Sequence, residues 1–157
     1  MTNKQIDYYS LYSDVKKFNL FNFPKIDQRE EVYLNGPIIL FFGQYSSQMP
    51  EIILEYERKI IEIISKIKGE NVQIFYRPHP NNSQSQIKGI PSISKYIVSE
   101  RILNISLFSS TQIDNNFQGD KILIRTSHIF PEISFDCVDK IINIDNLKAY
   151  IKKWLKN

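Results

Sequence analysis

Apolar residues occur along the chain in short continuous runs and in longer amphipathic segments, which predicts alternating strands and helices. The run 37–42 is apolar throughout, as expected of a strand that is covered on both faces. Between residues 50 and 68 apolar positions recur mostly every three or four residues, which predicts a helix. A second apolar run, 72–75, predicts another strand, so the three elements form a βαβ unit with parallel strands. The apolar positions of the predicted helix are Ile53, Leu54, Ile60, Ile61, Ile64 and Ile67.

The second half of the chain continues this alternation in shorter pieces. Strands are predicted at 105–108, 121–124 and 140–144, and residues 93–103 suit either a helix or a strand. Asp145 is expected to cap a final helix. The order of elements predicts an α/β fold, a single Rossmann-like domain with a mostly parallel sheet of about five strands flanked by helices. The apolar face of the final helix comprises Leu147, Tyr150, Ile151, Trp154 and Leu155.

Residues 1–35 differ from the rest, because they hold two aromatic clusters, 8–12 and 18–23, and no clear periodicity. Aromatic residues in such numbers argue against a disordered tail. Two interpretations stay open: a short helix and loop packed on the domain, or a connector that contacts another domain. We therefore divide the chain into an aromatic-rich N-terminal connector, 1–35, and a Rossmann-like domain, 36–157.

The composition is that of an ordinary globular domain, with 42% hydrophobic and 24% charged residues among 157. The net charge of +3 is small and scattered, so nucleic acid is not an expected partner, whereas an anionic small molecule suits it. A single cysteine argues against a disulfide framework and a cysteine-rich zinc site. No secretory leader is recognisable, and no apolar run approaches the ~18 residues of a spanning helix. We expect a cytoplasmic protein and leave peripheral attachment to a membrane open.

The motif Arg-Pro-His-Pro at 77–80 follows the predicted strand 72–75 closely, and the polar stretch 81–91 after it predicts a mobile loop. Ligands of open α/β sheets bind where strands end. The guanidinium of Arg77 offers a planar fork to phosphate oxygens, and His79 can donate from either ring nitrogen. The prolines on both sides of the histidine restrict its backbone. We expect this motif to bind phosphate; the alternative is a surface turn whose histidine caps a neighbouring strand.

Three hydroxyl residues, Ser109, Ser110 and Thr111, follow the predicted strand 105–108. Their side chains and backbone N–H groups could donate to an anion, although a simple helix N-cap would explain them as well. Both motifs end strands of one predicted parallel sheet, so we expect them to open onto the same edge of it.

The familiar cofactor signatures are missing from the sequence. There is no dinucleotide fingerprint, no phosphate loop of the Walker type and no nucleophile elbow. No pair of aspartates in a loop offers a divalent metal site. Nucleotide chemistry in this chain should therefore be independent of metal ions. His128 is interpreted as a loop histidine and Cys137 as a packed small residue.

Taken in order, the motifs resemble the C-terminal half of bacterial sialyltransferases of the GT-B fold. The succession comprises the strand end 39–44, the motif 76–80, Glu100 and the hydroxyl cluster 108–111. The closest resemblance is to lipooligosaccharide sialyltransferases, glycosyltransferase family 52, with polysialyltransferases as relatives. The resemblance covers about residues 36–157. It depends on the order and spacing of the motifs more than on any single motif.

The resemblance implies an inverting transferase that uses CMP-sialic acid as donor and a cell-surface glycan as acceptor, with no cofactor and no metal. It implies that His79 contacts the phosphate of the CMP-sugar and stabilises its departure. The residues that it places at the nucleotide are His79, Ser109, Ser110, Glu100, Gly43 and Gln44. The motifs themselves add Arg77, Pro80 and Thr111 to the expected binding site.

The chain departs from that family in its length. A GT-B enzyme has two Rossmann-like domains, and its acid/base carboxylate lies in the N-terminal one, for which this chain has no room. We therefore expect a second domain or a partner chain, a homodimer included, and expect the chain alone to bind better than it catalyses. Two alternatives stay open: a non-catalytic Rossmann-like binding module, and a transferase of polyol-phosphate or another sugar in cell-surface polymer synthesis.

Overall fold

A computed structural model of the protein describes residues 30–44, 50–67, 69, 71–107, 117–125 and 139–157. The α-helices in this part of the chain are α1 (Pro50–Ile67) and α2 (Leu147–Lys156), and 3-10 turns occupy Pro80–Asn82 and Ile144–Asn146. The strands are β1 (Glu31–Tyr33), β2 (Pro37–Phe42), β3 (Gln73–Arg77), β4 (Tyr96–Val98), β5 (Arg101–Ser106), β6 (Asp120–Arg125) and β7 (Lys140–Asn143).

The five longer strands form one sheet in the order β3-β2-β5-β6-β7, and every neighbouring pair is parallel. The central register sets Phe41 of β2 opposite Tyr76 of β3 on one side and Ile105 of β5 on the other. Since α1 joins β2 to β3, the predicted βαβ unit is confirmed. The fold is α/β and Rossmann-like, as the sequence predicts, and the carboxyl ends of its strands meet at one edge.

Both described helices belong to the hydrophobic core on one face of the sheet. Helix α1 begins and ends within one residue of its predicted bounds because its apolar stripe faces β2 and β3. Leu54 was predicted to belong to that stripe, but it is 55% exposed. It lies one position, and therefore about 100° around the helix, from buried Ile53. The helical side chains buried in this core are Ile53, Ile60, Ile64, Ile67, Leu147, Ile151 and Trp154.

The opposite face of β2 and β5 packs against a small two-stranded sheet, in which β1 and β4 run parallel. Ile97 of β4 and Phe117 are buried there against Ile38, Leu40 and Phe42 of β2. The compact unit that contains the main sheet extends from Glu31 to the end of the chain, so β1 belongs to it. This strand lies within the stretch that the sequence grouped as connector 1–35.

Two strand boundaries differ from those predicted. β3 continues through Arg77, so its cation is a strand residue and projects from one face of the sheet. β5 begins at Arg101 rather than at 105. The prediction was displaced because Asn104 and Ser106 are polar although buried, and so interrupt the apolar pattern of the strand. The Asn104 amide compensates for its burial by donating to the backbone carbonyls of Gln118 and Asp120, at 2.8 and 3.2 Å.

The start of the last helix was also predicted wrongly. Asp145 lies in the 3-10 turn that follows β7, and the residue at the N-cap position of α2 is Asn146, whose side chain makes no capping hydrogen bond. The turn adds three residues between strand and helix and brings Leu147 into the core.

The segment between β3 and β4 holds no α-helix but is tied to the edge of the sheet. The N–H of Tyr76 donates to the carbonyl of Pro91 at 2.9 Å, and the N–H of Ile93 donates to the carbonyl of Tyr76 at 2.8 Å. Ile90 is buried in the core. The stretch 81–91 therefore forms a wall beside β3 through Ile90 and the backbone of Pro91, while its mobility stays a prediction.

Neither of the two described helices is long and apolar enough to cross a membrane.

Candidate functional site

A cavity of 520 Å³ opens at the carboxyl ends of β2 and β3, which is within the size range of small-molecule sites. This is the position at which ligands bind in open α/β sheets. The cavity combines aromatic and aliphatic side chains with a few polar ones. Its lining residues are Phe42, Gly43, Arg77, Pro78, His79, Pro80, Ser83, Ser92, Ile93, Ser94, Tyr96 and Phe117.

Arg77 enters the cavity from the last position of β3, next to Phe42 of β2 in the parallel register. Its guanidinium carbon lies 4.8 Å from the ring centroid of Phe117 and 5.1 Å from that of Tyr96. One of its terminal nitrogens donates to the carbonyl of Lys95 at 3.2 Å. The contacts with the two rings and with this carbonyl fix the direction of the guanidinium, which suits recognition of an anion.

His79 stands at the N-cap position of the 3-10 turn that begins at Pro80. Its backbone is extended, with φ of −64° and ψ of 142°, as steric contact with the following proline ring requires. Its Nδ1 accepts a hydrogen bond from the N–H of Asn81 at 3.1 Å. The neutral ring therefore carries its proton on Nε2. Burial lowers the pKa of His79 below its ordinary value, which favours this neutral form.

Gly43 brings the end of β2 against the ring of Tyr76. A Cβ at this position would lie 3.0 Å from the Cε2 and Cζ atoms of Tyr76 and closer still to its hydroxyl, so no larger residue fits without displacement. The N–H of Gly43 donates to the carbonyl of Arg77 at 2.8 Å. The Tyr76 hydroxyl donates to Ser85 at 3.1 Å and thus ties β3 to the wall formed by 81–91.

Gln44 follows Gly43 in the chain but does not line the cavity. Its N–H donates to the carboxylate of Glu57 on α1, with a nitrogen–oxygen distance of 2.6 Å. Its side-chain Oε1 is buried and accepts no hydrogen bond. Burial raises the pKa of Glu57, and the hydrogen bond from Gln44 opposes that rise. We did not single out Glu57, because a glutamate in a helix with many charged residues gives no signal of a partner 13 positions earlier.

Three serines of the cavity were also missed in the sequence. Ser83 follows the 3-10 turn, whereas Ser92 and Ser94 lie on the segment that leads into β4. Ser92, Ser94 and Tyr96 alternate along that segment and all line the cavity. Their spacing of two residues was the available signal, but Pro91 and the surrounding polar residues favoured a loop.

The structure places Glu100 at the other end of the sheet, which corrects the expectation that it lies near the nucleotide. It directly precedes β5, whose first residue pairs with Pro37 at the start of β2. The hydroxyl of the adjacent Ser99 donates to the carbonyl of Gly36 at 2.7 Å, on that same edge. A six-residue strand separates the edges by roughly 20 Å, so Glu100 cannot contact a ligand held at His79.

The hydroxyl cluster Ser109, Ser110 and Thr111 lies outside the described residues, as do His128 and Cys137. The strand that leads to the cluster ends at Ser106, whose hydroxyl is fully buried and without a hydrogen-bond partner. β5 is separated from β3 by β2 alone, so their carboxyl ends are roughly 10 Å apart.

The charges around the cavity favour an anion. Arg77 supplies a cation and His79 a neutral N–H donor, and no carboxylate occurs among its described lining residues. No group of three or more histidines, cysteines, aspartates and glutamates that could hold a metal occurs within the described ranges.

Comparisons of the chain with protein-family models, with curated protein sequences and with solved structures find no match. The class of protein is defined by its fold and its cavity. It is a parallel α/β domain with a ligand-sized cavity at the carboxyl edge of its sheet. The similarity to sialyltransferases stays a resemblance carried by the motifs.

Proposed function

We propose that this chain is the donor-binding domain of a sialyltransferase-like glycosyltransferase, and that its cavity binds the CMP portion of a CMP-sugar. The observation that carries the proposal is the convergence of Arg77 and His79 in one cavity at the carboxyl edge of the sheet. A guanidinium and an imidazole N–H are suitable donors for phosphate oxygens. The aromatic and aliphatic side chains that share the cavity suit the remainder of a nucleotide.

His79 acts in this proposal as a neutral donor. When the acceptor oxygen bonds to the anomeric carbon, the bond from that carbon to the phosphate oxygen breaks and CMP leaves. The Nε2–H group of His79 stabilises the negative charge that develops on the departing phosphate. Arg77 contributes a fixed positive charge to the same group, and Ser109, Ser110 and Thr111 remain proposed donors from the end of β5.

The proton of the acceptor hydroxyl must pass to a base from elsewhere. The described lining of the cavity offers no carboxylate for this role. We therefore propose that a second domain or a partner chain, which a second copy could supply, provides the base and binds the glycan acceptor. The proposal includes a cytoplasmic location at the inner face of the membrane and a reaction without metal or cofactor.

Thermal unfolding in the presence of CMP, CDP, UDP and GDP tests this proposal. A ligand present at 100 times its Kd stabilises the folded state by about 2.7 kcal/mol, so binding is readily seen as a rise in Tm. We expect CMP to raise the Tm most, and His79→Ala to abolish the rise.

Matched variants separate loss of a ligand contact from loss of local structure. His79→Asn retains an oxygen that can accept from the N–H of Asn81 but shortens the donor, so it should fold normally and bind CMP weakly. Arg58→Met on the exposed side of α1 should bind CMP like the wild type. No response to any nucleotide would reject the proposal in favour of a binding module of another kind, and a preference for CDP would favour transfer of a polyol-phosphate.

A further inference from the structure

Glu57 is a half-buried carboxylate on the side of α1 that faces the end of β2. Its neighbours on the exposed side of the helix, Glu55 and Glu62, form ion pairs with lysines one turn further on, at 3.4 and 3.1 Å. Glu57 instead accepts the backbone N–H of Gln44 at 2.6 Å, a short distance for an N–H donor to a carboxylate. An ionised side chain in such a position needs a strong partner to offset the loss of hydration.

The residue that Glu57 holds is joined to the cavity through the backbone. Gln44 follows Gly43, which lines the cavity and donates its N–H to the carbonyl of Arg77. Gly43 also lies against the ring of Tyr76, whose hydroxyl donates to Ser85 in the stretch 81–91 beside β3. The end of β2 is thus fixed by β3 on one side and by Glu57 on the other.

We propose that Glu57 is a positioning residue of the cavity, which holds Gly43 and Gln44 so that the ends of β2 and β3 keep the geometry required for a ligand. Its effect on a ligand is indirect, because it does not line the cavity itself. The consequence for nucleotide affinity rests on the proposed function, whereas the effect on the cavity wall does not.

Two substitutions separate the acceptor oxygen of Glu57 from its charge. Glu57→Gln keeps an oxygen that can accept from the N–H of Gln44, while Glu57→Leu keeps a similar volume and removes the acceptor. Glu62→Leu, on the exposed side of the same helix, is the matched control. We expect Glu57→Leu to weaken CMP binding about tenfold, and both Glu57→Gln and Glu62→Leu to bind within about twofold of the wild type.

A measurement without ligand tests the positioning role alone. In the wild type, the amide proton of Gln44 should shift with pH as the Glu57 carboxyl titrates, and this shift should disappear in Glu57→Gln and persist in Glu62→Leu. Among the described residues, Tyr76 is a titratable neighbour of Glu57, and its phenol stays neutral throughout the acidic range because its pKa is raised. The amide resonances of Gly43 and Arg77 should move in Glu57→Leu and stay near their wild-type positions in Glu57→Gln.

The outcomes decide the two proposals separately. If the wild type binds no nucleotide, the proposed function fails, and the resonances of Gly43 and Arg77 still decide the role of Glu57. If Glu57→Leu lowers Tm but leaves those resonances and the affinity for CMP unchanged, Glu57 serves the general stability of the fold and the positioning role is refuted. An amide of Gln44 that does not respond to the carboxyl refutes it as well.

Discussion

Nδ1 of His79 accepts the backbone N–H of Asn81 at a distance of 3.1 Å, so the proton of the neutral ring is on Nε2. This contact orients the imidazole ring, so the backbone at Asn81 sets the direction in which the Nε2–H group donates. Protonation would place a hydrogen on Nδ1 as well and would break the bond to Asn81. The same contact therefore opposes the charged form, in agreement with the lowered pKa.

The first prediction concerns the ionisation of His79 and its effect on stability. Because the pKa of His79 is lower in the folded chain than its ordinary value of 6.5, the unfolded chain takes up a proton first as pH falls. The free energy of unfolding should thus decrease as pH falls from 6.5 towards the lowered folded value, and level off below it. Urea denaturation of wild type and His79→Asn should show this component in the wild type alone.

The ring itself can be observed directly by NMR. Nitrogen-15 shifts of the His79 ring at pH 7 should show a protonated Nε2 and an unprotonated Nδ1. A ring protonated on Nδ1, or charged at pH 7, would contradict the tautomer derived from the contact with Asn81.

The second prediction concerns the charge of Glu57. Since burial raises its pKa above 4.5 in the folded state, the folded chain holds this proton more tightly than the unfolded chain does. The tighter binding of this proton adds to the free energy of unfolding below pH 4.5, and the added stability is lost as pH rises through the folded pKa. Glu57→Gln, which stays neutral, should therefore become progressively more stable than the wild type as pH rises over this range.

Glu62→Gln serves as the control for that trend, because Glu62 is exposed and paired with Lys66. The difference in free energy of unfolding between Glu62→Gln and the wild type should not increase with pH. A parallel pH profile for Glu57→Gln and the wild type would show that the carboxyl is not perturbed by folding.

The third prediction addresses the contact between Gly43 and Tyr76. Gly43→Ala adds a methyl group against the ring and hydroxyl of Tyr76, so we expect a loss of about 1–3 kcal/mol of stability, as for overpacked sites in general. Tyr76→Phe removes the nearest atom, and the double variant should recover part of the loss. Denaturant unfolding of both single variants and the double variant gives this coupling energy. Additive losses would mean that the ring moves away freely.

The fourth prediction separates the charge of Arg77 from its packing. Arg77→Met can still lie between the rings of Tyr96 and Phe117, so its Tm should change little, whereas its affinity for CMP should fall about tenfold, or ~1.4 kcal/mol. Arg77→Lys keeps the charge without the planar fork and should bind with intermediate affinity. Calorimetric titration measures both. Unchanged affinity in Arg77→Met would assign the arginine a structural role.

The fifth prediction concerns the opposite edge of the sheet, where Arg101 at the start of β5 donates to the carbonyls of Trp154 and Leu155 at the end of α2. Its guanidinium carbon also lies 4.5 Å from the ring centroid of Trp154, whose Nε1 donates to Asp120 at 2.7 Å. Arg101→Met should lower the free energy of unfolding by about 1–3 kcal/mol. Since this contact is remote from the cavity, the Kd for CMP should stay unchanged below the unfolding transition, and a weakened Kd would contradict the separation of the two edges.

Most of the sheet could be predicted from the sequence, because strands buried on both faces leave continuous apolar runs such as 37–42. β5 was displaced because its polar residues, Asn104 and Ser106, are buried all the same, and no local pattern shows that Asn104 will find carbonyl partners 14 and 16 residues later. The short strand β1 was missed for a similar reason. Its partner β4 lies more than 60 positions away in the sequence.

The cavity was predicted in part. Arg77 and His79 follow an apolar run and carry recognisable chemistry, whereas the serines at 83, 92 and 94 lie in stretches that resemble any polar loop. Glu100 was misplaced because the resemblance orders residues along the chain, and order alone does not say at which end of a strand a residue lies. The second hydroxyl cluster, Ser109 to Thr111, stays a prediction.

The wall beside β3 also has a consequence for solubility. β3 is an edge strand of a parallel sheet, and such an edge offers unpaired N–H and C=O groups to other chains. The outward N–H and C=O of Tyr76 are already bonded to Pro91 and Ile93, so the segment that contributes Ser83 and Ser92 to the cavity also shields this part of the edge from intermolecular pairing. Moving this segment away would expose an aggregation-prone edge, and we expect variants that loosen it to self-associate.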